Sequence, residues 1–202
     1  MGMYVSLAGV SDATIARIHA DPPLIWQIVA PDDPEAVATA RGPAPRQGLF
    51  ARLLGREPTP PPPVPPPLEL QPGEGDLGAA GDLDKAWHGI HYLLTGTAWE
   101  GDPPLNFLLV GGRGVEDFET AHTFTADETR GIAAALARID DAELRRRFAP
   151  AEMMRLEIYP EIWDRDPAQE DPLGYLLEMV GVLRGALERV VGQGHGLLVT
   201  LS

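Results

Sequence analysis

The residues best suited to chemistry lie in one stretch, Asp82-Leu83-Asp84-Lys85-Ala86-Trp87-His88-Gly89-Ile90-His91-Tyr92-Leu93-Leu94-Thr95-Gly96. It holds the only lysine of the chain, two of its five histidines and one of its four tryptophans. Asp84, His88, His91 and Thr95 recur at i, i+4, i+7 and i+11, which places them along one edge of a helix. A carboxylate and two imidazoles so arranged can converge on a metal ion, or orient a general base. Asp-x3-His-x2-His is not a metal signature by itself. The plainer alternative makes Asp84 a helix-start residue and the histidines boundary groups bonded to backbone or water, and on spacing alone it is preferred. Lys85 is distinctive because fifteen arginines supply every other fixed positive charge. A compact ammonium kept where arginine prevails suggests a site or a structural tie, since lysine in a first helical turn opposes the macrodipole.

Glu157, Tyr159, Glu161, Trp163 and Asp164 form a second polar and aromatic concentration. Glu161 can pair with Lys85 or with a histidine, or the segment is a turn in which Pro160 fixes φ and the aromatics fill the core. Glu116, Asp117, Glu119 and His122 fit a solvated acidic edge better than a metal site. Gly111-Gly112-Arg113-Gly114 lacks the helix start that a phosphate loop requires and reads as a turn. The sequence has no Gly-x-Ser-x-Gly elbow, P-loop or dinucleotide fingerprint, and no catalytic residue can be assigned from it.

Composition narrows the classes further. With 30 acidic and 16 basic residues the chain carries a net charge of −14, a field that repels phosphate backbones and anionic lipid. Neither nucleic acid nor a membrane surface is expected as a partner, whereas a basic protein is compatible. The absence of cysteine removes disulfides, thiolate nucleophiles and Cys-type metal sites. No metal and no cofactor is expected. The N-terminal residues lack a signal-peptide pattern and no apolar run reaches the length of a membrane span, so a cytoplasmic location is the expectation. Composition leaves the oligomeric state open.

The elements that must position these residues follow from periodicity. Met3–Leu7 reads as a strand and Ser11 as the cap of a short helix that ends at Asp21-Pro22-Pro23. Leu83, Trp87, Ile90 and Leu94 form the apolar face of a helix, begun by Asp82 or Asp84 and ended by Gly96. Leu105–Val110 is a continuous apolar run and is expected to be a central strand, and Phe118–Phe124 a further one. Thr125 with Glu128, and Asp140 with Glu143, have capping-box spacing. Asp171-Pro172 opens the longest helix and Gly196–Leu201 forms a C-terminal strand. The expected fold is α+β: a small mixed sheet of two to four strands, both chain termini included, packed with about six helices.

Residues 31–81 differ in character. Eight of the ten residues from Pro58 to Pro67 are proline, which favours polyproline II over a packed core. Gln47–Arg56 is an amphipathic stretch with Leu49, Phe50, Leu53 and Leu54 on one side, and Glu69–Gly81 reads as a Gly/acidic tether. The expectation is one domain over 1–202 that carries a Pro-rich flexible insertion at about 31–81.

The opening Met1-Gly2-Met3, the Asp82–Gly96 block and Tyr159-Pro160-Glu161-Ile162-Trp163 together resemble the YfbM-like family, a bacterial domain of unknown function. The resemblance spans nearly the whole chain apart from the proline run. It implies a soluble, single-domain α+β protein and transfers no catalytic role, because that family has no established activity. It marks Lys85, Trp87, His88, His91, Tyr159 and Trp163 as residues that matter together. With Asp84 and Glu161 they form the candidate functional cluster. Two functions remain open: a non-enzymatic protein-binding module, and a small-molecule hydrolase or lyase, metal-dependent or not, that uses the Asp84/His88/His91 row.

Overall fold

A computed structural model describes residues 2–33, 35–40, 66–70, 72–75 and 81–202. Four strands form one sheet in the order β1-β4-β3-β2: β1 is Val5–Val10, β2 Arg113–Val115, β3 Phe118–Phe124 and β4 Gly196–Leu201. Both terminal strands are present, paired from Val5 opposite Leu201 to Val10 opposite Gly196. Every pairing is antiparallel, where a mixed sheet was expected. Mixed sheets need a parallel crossover, and here β4 returns between β1 and β3 running against both.

The position of β4 explains its composition. Leu197, Leu198 and Val199 are all buried, the continuous apolar run of a strand covered on both faces. Leu197 and Val199 join the larger core on what we call the inner face, while Leu198 joins a smaller core on the outer face.

Eight α-helices occur among the described residues. The outer face is covered by α1 (Asp12–Ala20) and by a 3-10 turn, Pro22–Ile25, that continues into α2 (Trp26–Val29). The Ser11 side chain accepts from the Thr14 N–H and starts α1 as expected. The short α3 spans Ala36–Ala40. The inner face packs against α4 (Trp87–Thr95), α5 (Ala126–Leu136) and the 21-residue α8 (Pro172–Gly192), with α6 (Asp141–Arg147) and α7 (Pro150–Arg155) beyond them. Thr125 and Glu128 close a reciprocal capping box on α5, and Asp140 accepts from the Glu143 N–H at the start of α6. None of these helices is long and apolar enough to cross a membrane, among the described residues.

One further expectation fails for a physical reason. Leu105–Val110 is a run of turns and not a strand. The Asn106 carbonyl accepts from the Leu109 and Val110 N–H groups, folding the segment so that Phe107 and Leu108 drop into the inner core. Continuous apolarity reports burial, which a turn satisfies as well as a strand does. The described pieces of 31–81 make hydrogen bonds to the rest of the fold. Arg17 donates to the Pro67 carbonyl at 2.9 Å and to that of Pro66, and the Leu68 N–H donates to Gln27 Oε1 at 2.8 Å. Proline removes donors but leaves carbonyls, which this arginine uses. The amphipathic stretch 47–56 and the prolines before Pro66 lie outside the described residues.

Candidate functional site

A single 3-10 turn, Asp84–Ala86, precedes α4 and decides where the polar row goes. Asp84 takes a left-handed backbone with φ of 46°, and its N–H donates to Asp82 Oδ1 at 2.7 Å. Its exposed carboxylate accepts from the Tyr175 hydroxyl of α8 at 2.8 Å. Tyr175 Oη also faces the backbone of Lys85 and Ala86, and burial followed by the Asp84 charge pushes its phenol up from the usual value. The turn thus ties α4 to α8. Asp84 does not continue the helix, so it does not stand in line with His88 and His91. Among the described residues no three His, Asp or Glu side chains come together as a metal-holding group.

His88 is completely buried and uses both ring nitrogens. The Tyr159 N–H donates to Nδ1 at 3.0 Å, so Nδ1 is the acceptor and the proton sits on Nε2, 2.7 Å from the Ala98 carbonyl. The ring is therefore neutral and bridges the loop after α4 to the turn after α7. Burial lowers its pKa, an effect the Ala98 carbonyl partly offsets. No lone pair is left for a substrate or a metal while these bonds hold.

His91, one turn further, is equally buried but has no hydrogen-bond partner on either nitrogen. Burial pushes its pKa down to about 4; the nearby Glu100 backbone offsets part of this without forming a well-aligned hydrogen bond, and His88 adds to the lowering.

The aromatic residues close around His88. Trp87 is buried, donates Nε1–H to the Met3 carbonyl at 3.0 Å, and stacks on Tyr159 with centroids 5.8 Å apart. The Tyr159 hydroxyl accepts from the Met3 N–H at 3.3 Å, so Met3 is gripped from both sides. Trp163 is buried and donates Nε1–H to the Ile158 carbonyl at 2.6 Å. Its ring lies against Gly89: a Cβ there would stand 2.7 Å from both Trp163 Cη2 and Leu176 Cδ2. The glycine lets α4 approach α8 and the Trp163 turn closely.

The structure therefore brings together Trp87, His88 and Tyr159, with Trp163 and His91 in the same core. It does not bring in Asp84, Lys85 or Glu161. Glu161 is exposed with φ of 61°, and no ion pair joins it to Lys85, which is half-buried and unpaired among the described residues. Sequence reasoning missed Trp99, whose ring centroid is 4.4 Å from that of His88, and Gly89. A glycine inside an apolar helical pattern was a usable signal for close packing; Trp99, in a loop without periodicity, offered none. A cleft of about 460 Å3 opens on the outer face beside Ser6, Thr200, Trp26 and Phe118, and its lining includes Asp82 but none of Lys85, His88, His91 or Glu161.

Comparison with known proteins agrees with this architecture. The chain is 26% identical over 126 residues to Protein YfbM of Escherichia coli strain K12, covering 59% of this chain and 75% of that protein. The crystal structure of YfbM from Escherichia coli, described as a protein of unknown function, superposes with a TM-score of 0.60 at 18% identity, over the full length of both chains. At that identity the likeness shows the fold alone. The sequence pattern of the family described as "Domain of unknown function (DUF1877)" matches residues 1–200, and the chain belongs to that family.

Proposed function

We propose that this chain is a non-enzymatic protein-binding module whose partner is a basic protein. One observation carries the reading: the residues that looked most reactive are consumed in holding the fold. His88 spends both nitrogens on backbone groups 10 and 71 positions away, and Trp87 and Tyr159 spend their polar atoms on Met3. A hydrolase or lyase built on the Asp84/His88/His91 row would need His88 released from both bonds and Asp84 turned away from Tyr175. The surface, by contrast, is free to act and carries the bulk of a net charge of −14, which speeds encounter with a basic partner and discourages nucleic acid.

The test is gel filtration of the tagged chain from extracts of its own host at low and at high salt. The expected result is elution well above 21.8 kDa at low salt, with a basic protein present in stoichiometric amount, and release of that protein at high salt. Elution at the same size in both conditions with no stoichiometric companion would overturn the proposal.

A further inference from the structure

Trp99 is the most exposed of the four tryptophans, and the fold fixes its ring in place. It is 54% exposed, whereas Trp87 and Trp163 are buried and Trp26 is half-buried against Phe118. Its ring is not loose. It leans on His88 with centroids 4.4 Å apart and lies 6.3 Å from Trp87. The loop that carries it is pinned on both sides, by His88 Nε2–H on the Ala98 carbonyl and by the Asn106 amide on the Gly101 carbonyl at 2.9 Å. An exposed indole held this way has already lost the freedom that a flexible side chain would give up on binding.

The charges around it are unbalanced. Glu100 and Asp102 follow Trp99 closely in sequence, both are exposed, and neither carboxylate meets a cation or donor among the described residues. Some acidic side chains elsewhere are matched: Glu143 holds Arg146 and Arg147, Glu152 holds Arg155, Glu170 holds Arg165, and Asp141 holds Arg184. The imidazole behind Trp99 is neutral, because both of its nitrogens are committed, so no resident cation already sits on that side of the indole.

We infer that Trp99, Glu100 and Asp102 form the docking point for an arginine of a basic protein segment, its guanidinium stacked on the open indole face and held by the carboxylates. Arginine is favoured over lysine because its planar, weakly hydrated fork stacks on a ring and meets carboxylates two-pronged at once. This inference rests on the reading of the chain as a binder of a basic protein, and it names where that binding is centred.

The test uses the full chain and three synthetic peptides of equal length: one carrying spaced arginines, one with lysines in their place, and one with uncharged citrullines. Affinity is measured by fluorescence anisotropy for the wild type, Trp99→Ala, Trp99→Phe, Glu100→Gln/Asp102→Asn and, as a remote acidic control, Glu116→Gln/Glu119→Gln. Near-UV circular dichroism checks that each variant is folded, and Trp99→Phe keeps an aromatic cover over His88 should Trp99→Ala unfold. The arginine peptide should bind the wild type about five-fold or more tighter than the lysine peptide, and the citrulline peptide should not bind. Trp99→Ala should weaken the arginine peptide about ten-fold and abolish its advantage over lysine, Trp99→Phe should fall between, and the remote control should change affinity less than about two-fold. A folded Trp99→Ala or Trp99→Phe with wild-type affinity and preference would overturn the docking point and leave the basic-partner reading standing. Failure of the wild type to bind either cationic peptide would overturn both.

Discussion

Glu74 beside the outer face and His91 beneath the inner face are both buried polar side chains, and their surroundings treat them in opposite ways. Glu74 lies in a stretch that reads as a tether, yet its Oε1 accepts from the Ser11 N–H at 2.5 Å and from the Thr14 hydroxyl at 2.8 Å. It sits at the positive end of the α1 dipole, and the next residue, Gly75, donates its N–H to the Gly9 carbonyl beside it. The outer side thus takes in a group that can carry charge and supplies donors for it. On the inner face His91 is buried with no hydrogen-bond partner, among close-packed rings and aliphatic chains. A polar group is met where a mobile-looking strap could be recruited, and goes unmet where packing between α4 and α8 was already settled by Gly89, Trp163 and Leu176.

If the inner face is held by close apolar packing, removing its largest piece should cost most. Trp163→Ala should lower stability by about 4 kcal/mol, since a fully buried indole leaves a cavity and Ile158 loses its donor. Trp163→Phe should lose roughly 1–2 kcal/mol, for the hydrogen bond and part of the volume. Urea unfolding midpoints measure both. Equal, small losses would mean that the Trp163 turn is not part of the cooperative core.

The unmet histidine gives the inner face its own pH dependence. His91 titrates near 4 when folded and near 6.5 when unfolded, because burial disfavours the imidazolium. Above pH 6.5 both states are neutral and nothing is lost. Between 6.5 and 4 the unfolded chain takes up a proton that the folded ring refuses, so stability falls as pH falls, by roughly 3 kcal/mol once pH drops below about 4. His88, His19 and His122 are also lowered by burial and add in the same direction. His91→Phe should therefore flatten the acid limb without removing it, and should not destabilise the protein at neutral pH. Superimposable stability-versus-pH curves for wild type and variant would remove His91 from this role.

The outer face makes the converse case. Glu74→Ala should cost about 2 kcal/mol by leaving the Ser11 N–H and the buried Thr14 hydroxyl without their acceptor. It should also detach the strap: amide exchange at Gly75, whose N–H is bonded to the Gly9 carbonyl, should quicken more than exchange in β4. Uniform quickening across the sheet would mean that strap and sheet unfold as one unit.

This contrast also explains what could be read from the sequence. The local signals held: the Ser11, Thr125 and Asp140 caps, the left-handed Gly96 after α4 and the apolar stripe of α8 each depend on residues a few positions apart. The terminal strands were legible because their apolar runs have strand length. What failed depends on distant partners. His88 is fixed by Ala98 and by Tyr159, and no spacing within the 83–96 block reveals either. Asp84 left the row because a 3-10 turn with positive φ intervenes, and Tyr175, 91 positions away, rewards that turn. Glu74 was hidden for the same reason: a lone acid among glycines looks solvated until its long-range donors are known.

Lys85 supplies the smallest predicted effect and the sharpest control. Its backbone is clamped, since Tyr175 Oη faces the Lys85 and Ala86 main chain while its hydroxyl binds Asp84, but its half-buried side chain has no partner among the described residues. The turn therefore needs a residue at this position more than it needs an ammonium. Lys85→Arg should change stability by less than about 0.5 kcal/mol, the range of surface substitutions that touch no cap, core or network. Tyr175→Phe should cost more, about 1 kcal/mol, because it removes the hydroxyl that ties the turn to α8. If thermal unfolding showed Lys85→Arg to be the more damaging of the two, the ammonium itself would be the tie, and the inner face would hold a charged contact after all.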